Sequence, residues 1–154
     1  MRRGRRHCLV FVLLALVMGC EPLPTQPTTP GEPTGRFNTR LSKMELEWFD
    51  TTTCESGEHQ SFVGADLRSA EGGRVVRIAL DPKTGPVVLV FDPGDTVHRM
   101  AIYRRSDCKK FTVELEDTGS KVDEFRDYRV TLDLQCEHGN GSYLAGSAHL
   151  EHCH

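Results

Sequence analysis

Alternation of apolar and polar residues with a period of two is the feature that most constrains this chain. Phe111, Val113 and Leu115 are separated by single polar residues, and residues 128–134 repeat the pattern. A period of two places the apolar side chains of an extended strand on one face, whereas an amphipathic helix needs a period of about 3.6. No window of residues 36–154 carries a convincing helical stripe. We therefore expect an all-β domain.

About eight short strands are expected on this basis, at residues 44–48, 62–67, 76–80, 87–91, 97–103, 111–115, 128–135 and 143–152. Turn signals rich in glycine, proline, asparagine and aspartate separate them. Short antiparallel strands at this spacing predict an immunoglobulin-like β-sandwich, with a small closed β-barrel as the alternative. The inward-facing residues of two strands are expected to be Met44, Leu46 and Trp48, and Val76, Ile78 and Leu80.

The first twenty residues have the composition of an export signal. Four arginines precede an apolar run of about eleven residues. This run is too short to span a bilayer, because a transmembrane helix needs roughly 20 residues. The run ends in Val17-Met18-Gly19-Cys20, which resembles the lipobox of bacterial lipoproteins, with Val17 and Met18 as variants of the commonest pattern. The resemblance implies cleavage after residue 19 and acylation of Cys20. A plain secretory signal is the alternative.

Residues 20–35 form a proline- and threonine-rich linker between this cysteine and the domain at residues 36–154. Proline at this density favours polyproline II at about 3.1 Å per residue, so the linker could extend roughly 45 Å from a lipid anchor. Because Glu21 rather than aspartate follows Cys20, the resemblance implies the outer membrane of a Gram-negative cell envelope.

The charge balance argues against nucleic acid as the partner. Without the four leader arginines, 15 basic side chains remain against 22 acidic ones, so the mature chain has a formal net charge near −7. A mildly acidic surface does not favour nucleic acid. The expected partners are the membrane, through the lipid anchor, and an envelope protein or a glycan.

Four cysteines remain in the domain once Cys8 and Cys20 are set aside. An even number in an exported domain predicts two disulfides, with three pairings to choose from. The predicted hairpin of residues 111–117 and 127–135 brings Cys108 close to Cys136, although strict strand parity requires Cys108 to reach in from a loop. Cys136 and Cys153 would lie about 30 Å apart, too far for a bond. The sequence therefore favours Cys108–Cys136 and Cys54–Cys153.

The chain ends in SAHLEHCH, which contains three histidines. Two imidazoles at His152 and His154 would lie about 7 Å apart on one side of a strand, a spacing that zinc or copper sites can use. A third ligand with a sequence reason to lie nearby is lacking. The expectation is a strand end without a cofactor, and the alternative is a zinc or copper site on His149, His152 and His154. Strict alternation places His149, Glu151 and Cys153 on one face, and Leu150, His152 and His154 on the other.

Other chemical signals are weaker. The sequence lacks a G-x-S-x-G elbow, an H-E-x-x-H motif and a C-x-x-C motif. Ser147 and His149 share a strand face, but no acid that could orient the histidine is identifiable. Residues 92–95 predict a β-turn rather than a calcium-binding loop. The basic residues around Cys108 predict a solvated loop. We therefore expect no enzyme.

The favoured function is a membrane-anchored β-sandwich that binds or supports an envelope component. A metal-handling lipoprotein is the alternative, and a toxin or inhibitor delivered by lipidation is a third class.

Overall fold

The computed structural model describes residues 35–69, 72–95 and 99–154. Within these residues the chain forms ten β-strands and two short 3-10 turns, and it contains no α-helix. The strands are β1 (Gly35–Arg40), β2 (Glu47–Thr51), β3 (Thr53–Ser56), β4 (Gly64–Arg68), β5 (Val75–Asp81), β6 (Gly85–Phe91), β7 (Met100–Tyr103), β8 (Cys108–Val122), β9 (Phe125–Glu137) and β10 (Tyr143–Cys153), and the turns are η1 (Gly57–Gln60) and η2 (Arg105–Asp107).

The strands form two antiparallel sheets of five strands each. Sheet A has the order β2-β1-β10-β9-β8, and sheet B has the order β3-β4-β5-β6-β7. Among the described residues no strand of one sheet pairs with a strand of the other. The predicted antiparallel β-sandwich is therefore confirmed, and the closed-barrel alternative is wrong.

Sequence neighbours pair throughout both sheets except where β1 pairs with β10. Short turns connect neighbouring antiparallel strands, which is why each sheet is built mainly as a meander. The β1–β10 pair places the first and last described strands side by side in the middle of sheet A.

The core lies between the two sheets and is made by alternate residues of the strands. The predicted inward face of residues 128–134 is confirmed, because all four apolar side chains there are buried. Fully buried large side chains come from both layers: Phe37, Leu67, Val76, Ile78, Val88, Val90, Tyr103, Val130, Leu132 and Leu144. Burying such side chains contributes about 1.5–3 kcal/mol each before the entropy of ordering is subtracted.

Two expectations about inward faces are wrong. Trp48 is 65% exposed and Leu46 is 48% exposed. The residue of β2 that turns inward is Phe49, which pairs with Phe37 on β1 and stacks on its ring with centroids 5.6 Å apart. Because strand side chains alternate, this contact directs Trp48 to solvent. Leu80, at the end of β5, is also 39% exposed.

Both predicted disulfides are present. Cys54–Cys153 joins β3 of sheet B to β10 of sheet A across 99 residues, and Cys108–Cys136 closes 28 residues at the end of the β8–β9 hairpin. Cys108 and Cys136 are register partners because a bulge between Cys108 and Lys110 restores the strand parity. In the chain-entropy model loops of these lengths contribute about 4.7 and about 3.6 kcal/mol.

The predicted alternation at the C-terminus is wrong after Leu150. A register shift between Leu150 and Cys153 inserts an extra residue opposite β9. As a result Leu150 and Cys153 are both buried, although strict alternation would put them on opposite faces. The inward direction of Cys153 allows it to reach Cys54 in the other sheet.

A strained two-residue turn joins β8 to β9. Val122 pairs with Phe125, and the residues between them, Asp123 and Glu124, have φ angles of 50° and 74°. Such a turn favours glycine at its second position, because a Cβ is unfavourable in the left-handed region.

We expect Glu124→Gly to stabilise the protein by about 0.5–1 kcal/mol, since glycine removes this strain at some cost in unfolded-chain entropy. Urea unfolding with the disulfides intact measures the change. Glu124→Ala retains the Cβ and is the control, with no comparable gain expected. Equal effects of the two variants would contradict the assignment of strain to this position.

Candidate functional site

The outer face of sheet A is a broad polar surface with two aromatic side chains, Trp48 and Tyr143. Strand register sets its composition, because residues paired across neighbouring strands point to the same side of a sheet. On β1 and β2 the outward residues are Arg36, Asn38, Trp48 and Asp50, and on β10 and β9 they include Ala145, Ser147, Asp133 and Gln135.

Trp48 and Asn38 are paired across β2 and β1 at the edge of this face. The Trp48 side chain is 65% exposed, which leaves most of the indole in contact with solvent. The Oδ1 atom of Asn38 is buried and has no hydrogen-bond donor. An exposed aromatic ring and a buried amide oxygen without a donor therefore lie side by side at this edge.

Arg36 and Asp50 form a two-pronged ion pair next to Trp48. The Nε and Nη2 atoms of Arg36 donate to the two carboxylate oxygens of Asp50 at 2.6 and 3.0 Å. These hydrogen bonds lower the pKa of Asp50, and the carboxylate in turn raises the pKa of Arg36. The pair is charged and fixed in direction, which suits recognition of hydroxyl groups.

An open depression adjoins this ion pair. It is lined by residues of β1, β2, β9 and β10: Gly35, Arg36, Asp50, Thr131, Leu132, Asp133, Ser147, Ala148 and His149. Small side chains in the middle of β10 leave the depression between longer polar ones. Trp48 is two residues from Asp50 along β2, so the indole stands about 7 Å from the rim.

A chain of polar contacts borders the other side of the depression. His149 contacts Thr131 through Nδ1 at 3.1 Å and Glu151 through Nε2 at 2.8 Å. Arg129 donates to Glu151 and to Glu116, both at 2.8 Å. The hydrogen bond from Arg129, assisted by His149, lowers the pKa of Glu151. Both ring nitrogens of His149 therefore have partners other than Ser147.

The outer face of sheet B is occupied by its own side chains. Asp66 is 1% exposed and accepts hydrogen bonds from Arg77 at 2.7 and 2.8 Å. The same guanidinium lies 4.4 Å from the ring centroid of Phe62 and 5.1 Å from that of Phe91. Ion pairing and cation–π contacts thus cover the aromatic side chains of this face.

The structure divides the three predicted metal-binding histidines between two places. His149 lies on the outer face of sheet A, whereas His152 and His154 lie beside the buried carboxylate of Asp127. The Nδ1 atom of His152 is 3.0 Å from Asp127 Oδ2, and that of His154 is 3.8 Å from Oδ1. Throughout the described part of the chain, no group of three or more histidine, cysteine, aspartate or glutamate side chains is arranged to hold a metal ion.

The possible calcium loop and the basic cluster around Cys108 are both explained by local contacts. Asp92 accepts hydrogen bonds from the backbone N–H groups of Gly94 and Asp95 at 2.9 and 3.1 Å, which makes residues 92–95 a β-turn. In the basic cluster, Lys110 pairs with Asp133 and Arg105 donates to the Phe111 carbonyl. The cluster is therefore partly neutralised by its own surroundings.

Sequence reasoning missed the two residues that most distinguish the site and the C-terminus. It assigned Trp48 to the core, and it gave Asp127 no role. Because the aromatic residues Trp48 and Phe49 are adjacent and Asp50 follows them, the sequence does not show which face of β2 is buried. No local signal therefore places Trp48 on the surface. Asp127 reaches His152 across 25 residues of sequence, a contact that only strand register creates.

Comparisons with known proteins add no assignment: no family model, curated protein or solved structure matches this chain. None of the described residues belongs to a helix with the length and hydropathy to span a bilayer. The predicted lipidation site, Cys20, lies outside the described residues.

Asp127 gives a pH-dependent prediction. Burial raises the pKa of its carboxyl, but hydrogen bonds from His152 and Thr118 outweigh burial and hold the pKa below its ordinary value. A carboxyl with a lower pKa in the folded state contributes stability above its unfolded pKa of about 3.9, and this stability disappears as the pH falls through the folded value. Asp127→Asn should therefore destabilise the protein at neutral pH and flatten the loss of stability below about pH 4.

Urea unfolding across this pH range tests the prediction, with Glu45→Gln, an exposed loop substitution, as the control. An Asp127→Asn profile that runs parallel to the wild-type profile would show that the carboxylate is not the titrating group.

Proposed function

We propose that this protein is a lipid-anchored, non-enzymatic module of the bacterial cell envelope that binds a glycan on the outer face of sheet A. The observation that carries the proposal is the exposed indole of Trp48 beside the Asn38 amide and the Arg36–Asp50 ion pair. Together with the adjoining depression they form one continuous surface, which we call the Trp48 face.

The chemistry of a pyranose matches the Trp48 face. A sugar ring has an apolar C–H surface and a rim of hydroxyl groups, so it needs an aromatic platform flanked by donors and acceptors. Trp48 supplies the platform. Asp50 supplies acceptors, and Arg36 supplies donors. Sheet faces serve oligosaccharide recognition in other all-β architectures as well.

A glycan is favoured over a protein partner by the polarity of this surface. The centre of a protein interface is usually depleted in charged residues. Here charged side chains surround the Trp48 ring, and the neighbouring outward residues Ala145 and Ser147 of β10 are small. Such a surface offers hydrogen bonds across a depression rather than a broad apolar contact.

The anchor is proposed from the leader and linker. Cys20 would carry the acyl chains, and the linker would hold the domain away from the outer membrane by up to roughly 45 Å. Because β1 begins at Gly35 and contributes Arg36 and Asn38 to the Trp48 face, the tether would enter the domain at the edge of the proposed site.

Trp48 is the only tryptophan in the chain, so its fluorescence reports directly on the proposed site. Titration with soluble peptidoglycan fragments and with lipopolysaccharide oligosaccharides is expected to shift its emission to shorter wavelength with at least one probe. In a sedimentation assay with intact peptidoglycan or lipopolysaccharide, Trp48→Ala should weaken binding by about tenfold or more, since loss of a central aromatic contact costs above about 1.4 kcal/mol.

Met100→Ala is the matched control, because Met100 is also a large apolar side chain, is 50% exposed, and belongs to sheet B. It should bind like the wild type. Wild-type protein that binds none of these glycans, or equal binding by the Trp48→Ala variant, would refute the glycan proposal.

The anchor is tested separately. Expression of the full chain in a Gram-negative host with an alkyne-tagged fatty acid should label the protein and place it in the outer-membrane fraction. Cys20→Ser should abolish labelling and release the chain from membranes, whereas Cys8→Ser should retain both. Unlabelled wild-type protein recovered free in the periplasm would leave only the plain secretory signal.

A further inference from the structure

The open edge of β8 is the longest unpaired strand edge in the described part of the chain. β8 has 15 residues and pairs with β9 on one side only. Between Lys110 and Asp117 its register with β9 is continuous. Long, regular edges of this kind are templates for a further strand.

The direction of the free backbone groups follows from one contact. The carbonyl of Phe111 accepts a hydrogen bond from Arg105 Nη2 at 3.3 Å, and Arg105 belongs to η2 rather than to β9. This carbonyl therefore points to the open side. Because alternate residues of an antiparallel strand share this direction, Val113, Leu115 and Asp117 also present their N–H and C=O groups to the open side.

The side chains along this edge are incompletely covered. Phe111 is buried, but Val113 and Leu115 are only partly buried although both pack against the core. On the outer face of the same stretch lie Lys110 and Glu116, whose side chains are 57% and 64% exposed. A strand added here would cover the apolar residues on one face and meet charges on the other.

We propose that β8 pairs antiparallel with β8 of a second copy of this chain, about a two-fold axis at Val113. This register places Lys110 opposite Glu116 of the other copy and Phe111 opposite Leu115. By symmetry each pair occurs twice, and Val113 meets its own equivalent through backbone hydrogen bonds. The edge is thus complementary to itself in charge, in apolar character and in hydrogen-bond direction. In the dimer the Leu115 N–H of the other copy takes the place of Arg105 as the donor to the Phe111 carbonyl.

Neighbouring registers are less favourable. An axis at Glu114 brings the two Glu114 carboxylates together and sets Phe111 opposite Asp117. An axis at Thr112 pairs Lys110 with Glu114 and Phe111 with Val113, but it also sets Lys109 opposite Leu115. An axis between residues pairs inward with outward side chains, which a sheet does not allow. The axis at Val113 gives a lysine–glutamate pair and an apolar pair without setting any lysine opposite an apolar residue.

The chain's own linker is a poor occupant for this edge. Five prolines between residues 22 and 33 lack the N–H groups that a ladder needs. The linker also joins β1, which two strands separate from β8. In the proposed dimer the axis is perpendicular to the sheet, so the two outer faces of sheet A point the same way. The pairing itself does not rest on glycan binding.

Sedimentation of residues 20–154 carrying Cys20→Ser, produced in an oxidising compartment, tests the dimer without acyl chains. The chain with no further substitution should form a dimer in a concentration-dependent manner. Its dissociation constant should rise as salt is added, because exposed charge pairs are screened. Lys110→Glu and Glu116→Lys should each raise the dissociation constant by about tenfold, since each creates two like-charge pairs across the axis.

Mixing these two variants is the decisive step. The heterodimer sets glutamate opposite lysine at both positions, so an equimolar mixture should recover the wild-type dimer mass. A loss caused by local folding, including the ion pairs of Lys110 with Asp133 and of Glu116 with Arg129, would not be repaired by mixing.

Val113→Pro provides an independent test. The Val113 N–H points away from β9, so proline removes no hydrogen bond from the β8–β9 ladder and is tolerated at an edge. This variant should fold with both disulfides formed and sediment as a monomer. A monomeric wild type at all concentrations up to about 0.1 mM, a mixture that fails to recover the dimer, or a dimeric Val113→Pro variant would each overturn the proposal. Wild-type chain that dimerises only after deletion of residues 21–34 would assign the edge to the linker and overturn it as well.

Discussion

The architecture depends on the position of the C-terminal strand. β10 lies between β1 and β9 in the middle of sheet A, and Cys153 near its end bonds to Cys54 in sheet B. One strand therefore holds the two ends of the described chain together and fixes one sheet to the other. The bulge before Cys153 is part of this arrangement, because it turns the sulfur inward while leaving His152 in solvent. Besides the bridge and the packed core, Arg74 joins the two layers by donating to the Thr39 carbonyl and pairing with Glu47.

The two outer faces of the sandwich differ in how far their polar and aromatic side chains are paired with other side chains. On sheet B, Arg77 neutralises the buried Asp66 and lies over two phenylalanine rings, although Met100 on the same face is half exposed. On sheet A, Trp48 has no such cover, and the Asn38 acceptor beside it lacks a donor. This difference is why we propose ligand recognition on sheet A rather than on sheet B.

Much of the fold could be predicted because period-two patterns are local. Residues 128–134 show their inward face in any window of the sequence, and both cysteine pairings follow from hairpin geometry. Prediction failed where a pattern is too short to set its own direction. Residues 44–48 alternate, yet the Phe37–Phe49 stack decides which face of β2 is buried. The strands β1 and β3 were missed because their inward positions include threonine and serine, which carry no apolar signal.

The sequence by itself determined the all-β class and the cysteine partners, and it is the sole basis for the proposed linker, export and lipid anchor. These properties depend on composition and on spacing along the chain. Only the tertiary structure decided that Trp48 is a surface residue, that Asp127 lies against His152, and that one edge of β8 is open. Each of these depends on pairing between strands that are distant in sequence, and a one-residue change in register or one bulge reverses which side chains meet.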